Sequence, residues 1–353
     1  FVLLWCSKKN MQNFSLKPLR TVSLIPKEDE FLQAARVACV SWNLNPAEIE
    51  VLSHTENVVC RIKLSPTEQV VMRLHRPGYN DLAELNSEVQ WVESLANAGL
   101  PVPTALPTET GDYYCSVNIG DAAKNEERFV GVIEWVDGAP LGTPLANTSQ
   151  DVVPHFKTIG TLAARIRCHS NQWDHPEGFK RRRWDIDGLL GDAPLWGRFW
   201  EAEPLTYKQK MLFGDAREVL RDRLSLLSTG SDRFGLIHAD LHLGNIMRDN
   251  HDLTIIDFDD AGHGWFAHEA AVALHPGIGE PWFSRAREAF LEGYCSIYEM
   301  DNEEIDSIDT FLVVRSLMIV GWLDARPELP AYEYFPTVIE AAEQAVENLI
   351  LDL

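Results

Sequence analysis

At 353 residues the chain is too long for most single hydrophobic cores, so two lobes are expected. Apolar residues make up 45% and aromatic residues 10%, an ordinary globular balance that excludes a disordered chain. Fifty-three acidic residues against 31 basic ones give a formal charge of −22, which argues against nucleic acid as a partner, since a phosphate backbone would be repelled; a cationic small molecule and a plain solvated acidic surface are both compatible with it.

In chain order, Phe1-Val-Leu-Leu-Trp-Cys6 is apolar too briefly for a signal peptide's apolar region, and no later run approaches a membrane span. The chain lacks an initial Met and has Met11 nearby, so residues 1–10 read as an upstream extension or a fragment end, and residues 1–27 are set apart from both lobes. From Pro26 and the acids Glu28–Glu30, an apolar-rich segment to Trp42 reads as a helix. Three short strands are expected at 49–53, 58–64 and 70–75, with Ser65-Pro66 turning the chain between the last two. A helix from about Asp81 to Ala98 carries the apolar stripe Leu82, Leu85, Val89, Val92 and Leu95, and Gly99 suits its C-terminal cap. Leu100-Pro-Val-Pro103 forces an extended path, and strands are expected at 113–119 and 129–136.

From Ser149 onward the chain reads as mainly helical, with candidates at 152–168, 282–300, 305–325 and 332–351, interrupted by a strand pair near 235–237 and 253–257. A strand-rich half (28–137) followed by a helical half (138–353) points to an α+β, two-lobed enzyme. The six cysteines lie far apart without a Cys-x2-Cys pair, so no metal framework follows and a reducing, cytoplasmic setting is expected.

The most informative stretch is Ile237-His-Ala-Asp-Leu-His-Leu-Gly-Asn245, followed by Thr254-Ile-Ile-Asp-Phe-Asp-Asp260. Its His-x-Asp-x4-Asn-x11-Asp spacing is the minimum equipment for moving a phosphoryl group from a metal-bound nucleotide to a hydroxyl. Asp240 would orient the attacking hydroxyl and accept its proton, while Asn245 and Asp257 would hold a divalent metal against the phosphates. Taken alone, such acidic residues are more often a solvated loop, so the joint pattern carries the weight.

The two motifs resemble the aminoglycoside phosphotransferase and choline kinase-like family, which shares the two-lobed protein-kinase fold. The segments RLHRPGY (73–79), GLPVP (99–103), IEWVDG (133–138), RRWD (182–185) and GWLDARPE (321–328) also look like its bacterial members. The resemblance implies ATP and Mg²⁺ as cofactors and a small-molecule hydroxyl acceptor. It matches Asp240 to the catalytic aspartate, Asn245 and Asp257 to the metal ligands, and His238 to the histidine bracing the catalytic loop. Arg73 stands where the family usually has a phosphate-contacting lysine; arginine stays charged and can grip phosphate bidentately. Lys63 is its substitute should Arg73 point outward. Glu88, at the edge of the apolar stripe, is the expected partner of Arg73, and Glu84 competes one turn earlier.

The glycine-free connection Ser53-His-Thr-Glu-Asn57 would cover the triphosphate, with Ser53, Thr55 and Asn57 supplying polar groups, although turn chemistry explains the same residues. Adenine would meet backbone groups of Glu134 and Val136. His242 reads as a solvated loop histidine, and Asp259 as a second metal contact or a loop residue. Glu269 falls where most members have Asp, so a bracing role stays open. Lys180-Arg-Arg-Arg183 reads as a salt-bridged loop. Trp184, Trp196, Trp200, Glu201, Glu203, Trp265 and Trp282 are either acceptor-pocket walls or core. Two rival functions stay open: a protein Ser/Thr kinase of the stress-response type and a nucleotide-binding pseudokinase.

Overall fold

The computed structural model describes residues 28–54, 57–120, 126–142, 152–250 and 252–351. The N-terminal extension and Thr55 therefore lie outside the described residues. The chain divides into two compact units. One runs through Gly138 and adds His175–Lys180, and the other holds Ala139–Asp174 and Arg181–Leu353.

In the first unit, helix α1 (Glu28–Ala38) runs into a 3-10 turn that ends at Asn43, whose left-handed backbone (φ 51°) stops the helix. Strands β1 (Glu48–His54), β2 (Val58–Lys63) and β3 (Gln69–Leu74) follow, then helix α2 (Leu82–Asn97) and strands β4 (Tyr114–Ile119) and β5 (Glu126–Glu134). They form one antiparallel sheet in the order β1-β2-β3-β5-β4. Alternation along each strand puts Val58, Cys60 and Ile62 of β2, and Val70, Met72 and Leu74 of β3, into a core with Phe31, Ala34 and Ala35 of α1. The same period sends Arg73 to the opposite face.

Helix α2 starts at a reciprocal capping box: Asp81 accepts from the Glu84 amide at 2.9 Å, and the Glu84 carboxylate accepts from the Asp81 amide at 3.0 Å. Leu85, Val89, Val92 and Leu95 are buried as the stripe requires, while Leu82 at the first turn is exposed.

The second unit contains strand β6 (Ala139–Pro140), helix α3 (Val153–Ser170), strand β7 (Arg183–Trp184), and helices α4 (Ile186–Leu190) and α5 (Tyr207–Ser225). Strands β8 (Phe234–Ile237), β9 (Ile246–Asp249), β10 (Asp252–Ile255) and β11 (Gly262–Trp265) come next. Helices α6 (Phe266–Leu274), α7 (Phe283–Cys295), α8 (Asn302–Asp324) and α9 (Phe335–Leu351) complete it. The strands near 235–237 and 253–257 do not pair with each other. β10 pairs with β9, and β8 pairs with β11, which also takes β7 in parallel. Helix α6 was not separable from the sequence because all nine of its residues are buried, which erases any helical period. α8 is likewise buried on nearly every side. No helix among the described residues is long and apolar enough to cross a membrane.

Helices α3 and α7 approach closely through two glycines. A Cβ on Gly160 would stand 2.0 Å from the Phe290 carbonyl oxygen, and one on Gly293 would stand 1.9 Å from that of Lys157. Helix propensity favours alanine over glycine by about 1 kcal/mol. A backbone carbonyl cannot yield as a side chain can, so overpacking wins. Gly160→Ala is expected to destabilise the protein by about 1–3 kcal/mol, read as a lower denaturant midpoint; a raised midpoint would show that the two helices are not held this close.

Candidate active site

The end of β8 delivers the first motif. His238 is fully buried. Its Nε2 lies 3.0 Å from the Ile256 carbonyl and its Nδ1 accepts from the Asp240 amide at 3.3 Å, which fixes the neutral tautomer with hydrogen on Nε2. Burial holds its pKa below the usual histidine value. The next residue, Ala239, has a left-handed backbone (φ 63°), a strained state for a residue with a Cβ. Glu269 of α6 holds it there: its two carboxylate oxygens accept from the amides of His238 at 2.7 Å and Ala239 at 2.8 Å. The open question about Glu269 thus resolves as a two-point brace of the loop. Burial pushes its carboxyl up to about 8, against the two amides that favour the ionised form.

Asp240 is the hub. Its Oδ1 accepts from Nη2 of Arg315 at 2.6 Å, and its Oδ2 accepts from Nδ2 of Asn245 at 2.9 Å and from Nε2 of His242 at 3.2 Å. The His242 tautomer follows from its other nitrogen, since Nδ1 accepts from the Gly244 amide at 2.9 Å, leaving hydrogen on Nε2. His242 is therefore a buried partner of Asp240 rather than a solvated loop residue, because the 3-10 turn Leu243–Asn245 folds it back. Burial alone would raise the Asp240 carboxyl; His242 and then Arg315 outweigh it and hold the group well below the usual carboxylate range. About 19% of the Asp240 side chain stays exposed, so one edge remains open to a reactant.

Arg315 was missed in the sequence, although the signal was present: a single arginine inside the apolar run of α8 needs a buried partner. Its side chain is only 1% exposed and its guanidinium lies 4.4 Å from the Trp196 ring centroid.

The Asn245 amide also donates to the Asp240 carbonyl at 3.0 Å. Both contacts to Asp240 come from Nδ2, so Asn245 Oδ1 faces away from that carboxylate. The Asn245 carbonyl accepts from the Ile256 amide at 2.9 Å, so Asp257 directly follows the residue bound to Asn245. Asp257 lies beyond the end of β10 with a left-handed backbone (φ 71°). No group of three or more His, Cys, Asp or Glu side chains that could hold a metal gathers among the described residues. An amide oxygen and one carboxylate nonetheless fit a small hard cation that takes its remaining ligands from phosphate and water.

In the strand-rich unit, Arg73 and Glu88 form an ion pair at 3.7 Å with side chains 11% and 9% exposed. Glu84 is occupied at the capping box, and Lys63 pairs with Glu48 at 3.6 Å on the surface. Ser53 is exposed on β1, and the Asn57 amide oxygen accepts from the Arg76 amide at 2.9 Å. The Glu134 amide donates to the Thr104 carbonyl at 3.0 Å, so that N–H is already occupied. The Glu134 side chain accepts from Thr104 as well, and Val136 is half-buried. Among the aromatic candidates, Trp184, Trp196 and Trp265 are buried core, with Trp184 and Trp265 donating to the carbonyls of Asp260 and Ser228. Trp200, Trp282, Glu201 and Glu203 are half-buried or exposed.

A family model described as the phosphotransferase enzyme family matches residues 48–305, most of the chain. The chain belongs to that family. It is a phosphotransferase with an alcohol group as acceptor, built on the protein-kinase-like fold. The amicoumacin kinase of Bacillus subtilis (strain 168) is 22% identical over 302 residues, covering 82% of this chain and 84% of that protein. A solved microcompartment-associated aminopropanol kinase superposes with a TM-score of 0.76 at 28% identity, covering 89% of this chain and 95% of that one. An amicoumacin kinase solved with AMP-PNP, Ca²⁺ and Ami superposes with a TM-score of 0.72 at 20% identity, covering 90% and 93% of the two chains.

The brace on the His238–Asp240 loop of this phosphotransferase can be tested by an isosteric change. Glu269→Gln turns an NH2 group toward an amide that needs an acceptor, leaving a buried donor unmet at about 1–3 kcal/mol. A lower thermal midpoint with a matching fall in turnover is expected; a midpoint equal to the wild type's would refute the two-point brace. Arg315→Met keeps the volume but strips Asp240 of its cation. It should lower kcat about 10²-fold through misorientation while leaving nucleotide affinity within a few-fold, as read by steady-state kinetics beside nucleotide titration.

Proposed function

We propose that this phosphotransferase moves the γ-phosphoryl of ATP, with Mg²⁺, to a hydroxyl on a small amine-bearing alcohol. The observation that carries the reading is the Asp240 carboxylate: held ionised by Arg315 and His242, fixed by Asn245, and left open at one edge. A carboxylate so stabilised is a weak base. It suits a loose phosphoryl-transfer transition state, in which the acceptor hydroxyl needs orientation early and loses its proton late. Asp240 would accept a hydrogen bond from the acceptor hydroxyl, aim its oxygen in line with the leaving group, and take up the proton as the new P–O bond forms.

Asn245, through Oδ1, and Asp257 are the residues that would hold Mg²⁺. When bound, the ion neutralises the charge on the β- and γ-phosphates. Arg73, kept charged and buried against Glu88, would grip phosphate oxygens. Thr55 belongs to the same proposal by position alone, together with Ser53 and the backbone at Val136. Asn57 acts locally on the Arg76 amide, and Glu134 can serve only through groups other than its occupied N–H. The amine-bearing acceptor draws support from the aminopropanol kinase and amicoumacin kinase relatives and from the charge of −22.

The test is an ADP-release screen over amino alcohols, aminoglycosides and hydroxy amino acids, run beside labelled ATP with mixed polypeptides. Turnover on a small amino alcohol is expected, and Asp240→Ala should reduce it by about 10²–10⁴-fold with nucleotide binding retained. Label appearing only in polypeptides would replace this reading with a protein kinase. Full turnover by Asp240→Ala would remove Asp240 from the chemistry.

A further inference from the structure

The basic run Arg181–Arg183 is left over once the phosphotransfer residues are assigned, and it does more than close a salt-bridged loop. The segment after Asp257 exposes four consecutive backbone carbonyls, those of Phe258, Asp259, Asp260 and Ala261, and a side chain of residues 181–184 takes each one. Arg181, 6% exposed, donates from Nη2 to the Phe258 carbonyl at 3.0 Å and to that of Asp259 at 2.9 Å. It donates from Nε to the Ala261 carbonyl at 2.7 Å. Trp184 donates from Nε1 to the Asp260 carbonyl at 2.9 Å. Arg182 adds an ion pair to the Asp260 carboxylate at 3.3 Å, and its own carbonyl accepts from the His263 amide at 2.9 Å. A Cβ on Gly262 would come within 2.6 Å of that Arg182 carbonyl, so the two strands lie as close as glycine permits.

We infer that Arg181 is a positioning residue for the metal site: with Trp184 it templates the Phe258–Ala261 loop and so holds Asp257 in the left-handed backbone from which its carboxylate would hold the cation. The inference rests on the reading above, in which Asp257 is a metal ligand. Its physical basis is the shape of the donor. A guanidinium presents several N–H groups in one rigid plane, so a single side chain can fix carbonyls from three residues at once, where a lysine would hold one. A left-handed non-glycine residue persists only where its surroundings over-determine it. The Arg181 fork supplies that constraint immediately downstream of Asp257.

The experiment compares the wild type with Arg181→Met, Arg181→Lys and Asp257→Asn. Mn²⁺ binding to the protein with a non-hydrolysable ATP analogue is read by the electron paramagnetic resonance of free Mn²⁺. Amide exchange at Ala261 and His263 is read in the metal-free protein, with thermal unfolding as the check of fold. Arg181→Met is expected to weaken Mn²⁺ binding about 10-fold or more, as loss of an outer partner of a metal ligand does, and to speed exchange at both amides before any metal is added. The kinetic deficit should shrink as metal is raised, and Arg181→Lys should lie between. If Arg181→Met is poorly folded, Arg181→Lys carries the comparison, because it keeps the charge and one donor. Mn²⁺ affinity and exchange within twofold of wild type in the arginine variants, while Asp257→Asn loses Mn²⁺, would overturn the inference and leave the metal reading intact. Wild-type Mn²⁺ affinity in Asp257→Asn would instead remove the metal reading, and the inference with it.

Discussion

A carboxylate kept charged where water is scarce is the constraint around which this site is arranged. Stripping solvent from Asp240 favours its neutral form, and three donors on two oxygens reverse that preference. Each donor must itself be held. Arg315 is carried by a helix buried on nearly all sides, Asn245 is turned by its two bonds to Asp240, and His242 is oriented by the Gly244 amide. The arrangement is reciprocal, because Arg315 also needs a counter-charge at that depth and finds it in Asp240. Removing either partner would strand the other, which is why such pairs couple stability to chemistry.

The two motif segments each carry a residue with a left-handed backbone, Ala239 before Asp240 and Asp257 at the second motif. Both carry side chains that disfavour that conformation, and the two are held by different means. An acid from α6 seizes two amides upstream of Asp240, while a base from the 181–184 segment seizes carbonyls downstream of Asp257. Carboxyl to amide and guanidinium to carbonyl are complementary ways of ordering a chain that has no regular ladder of its own at those points. In the strand-rich unit, plain strand alternation achieves a comparable end, turning Arg73 away from the apolar face and toward Glu88.

What could be read from the sequence was mostly local. The His-x-Asp-x4-Asn-x11-Asp spacing, the apolar stripe of α2 and the extended Leu100–Pro103 stretch follow from short spacings or from the period of one element, whereas the pairing of Arg73 with Glu88 came from the family resemblance together with the edge of that stripe. The second tier was legible only in part, because its pairings come from contacts between residues distant in the chain: a lone arginine in an apolar run announces a buried partner but not which one. Arg315 reaches Asp240 from α8, and Arg181 reaches the loop after Asp257 from just before β7. His242 looked like a loop histidine because nothing in its neighbours announces that a 3-10 turn folds it inward. The strands near 235–237 and 253–257 were each recognisable, yet their true partners, β11 and β9, are glycine-rich or short and carry little strand signal. Burial on every side hid α6 in the same way.

Gly321 of α8 packs so tightly on the turn at Trp196–Gly197 that a Cβ there would fall 2.7 Å from the Gly197 carbonyl oxygen. Gly321 lies six residues beyond Arg315, roughly 9 Å along the helix axis. α8 therefore behaves as a bolt whose depth is set at one end and read out at the other. A residue larger than glycine at that stop would force either the helix or the facing turn to give way, and any movement of the helix would carry the guanidinium relative to the carboxylate it neutralises. Sequence drift at a silent packing position could in this way retune the acidity of Asp240 without touching its immediate neighbours.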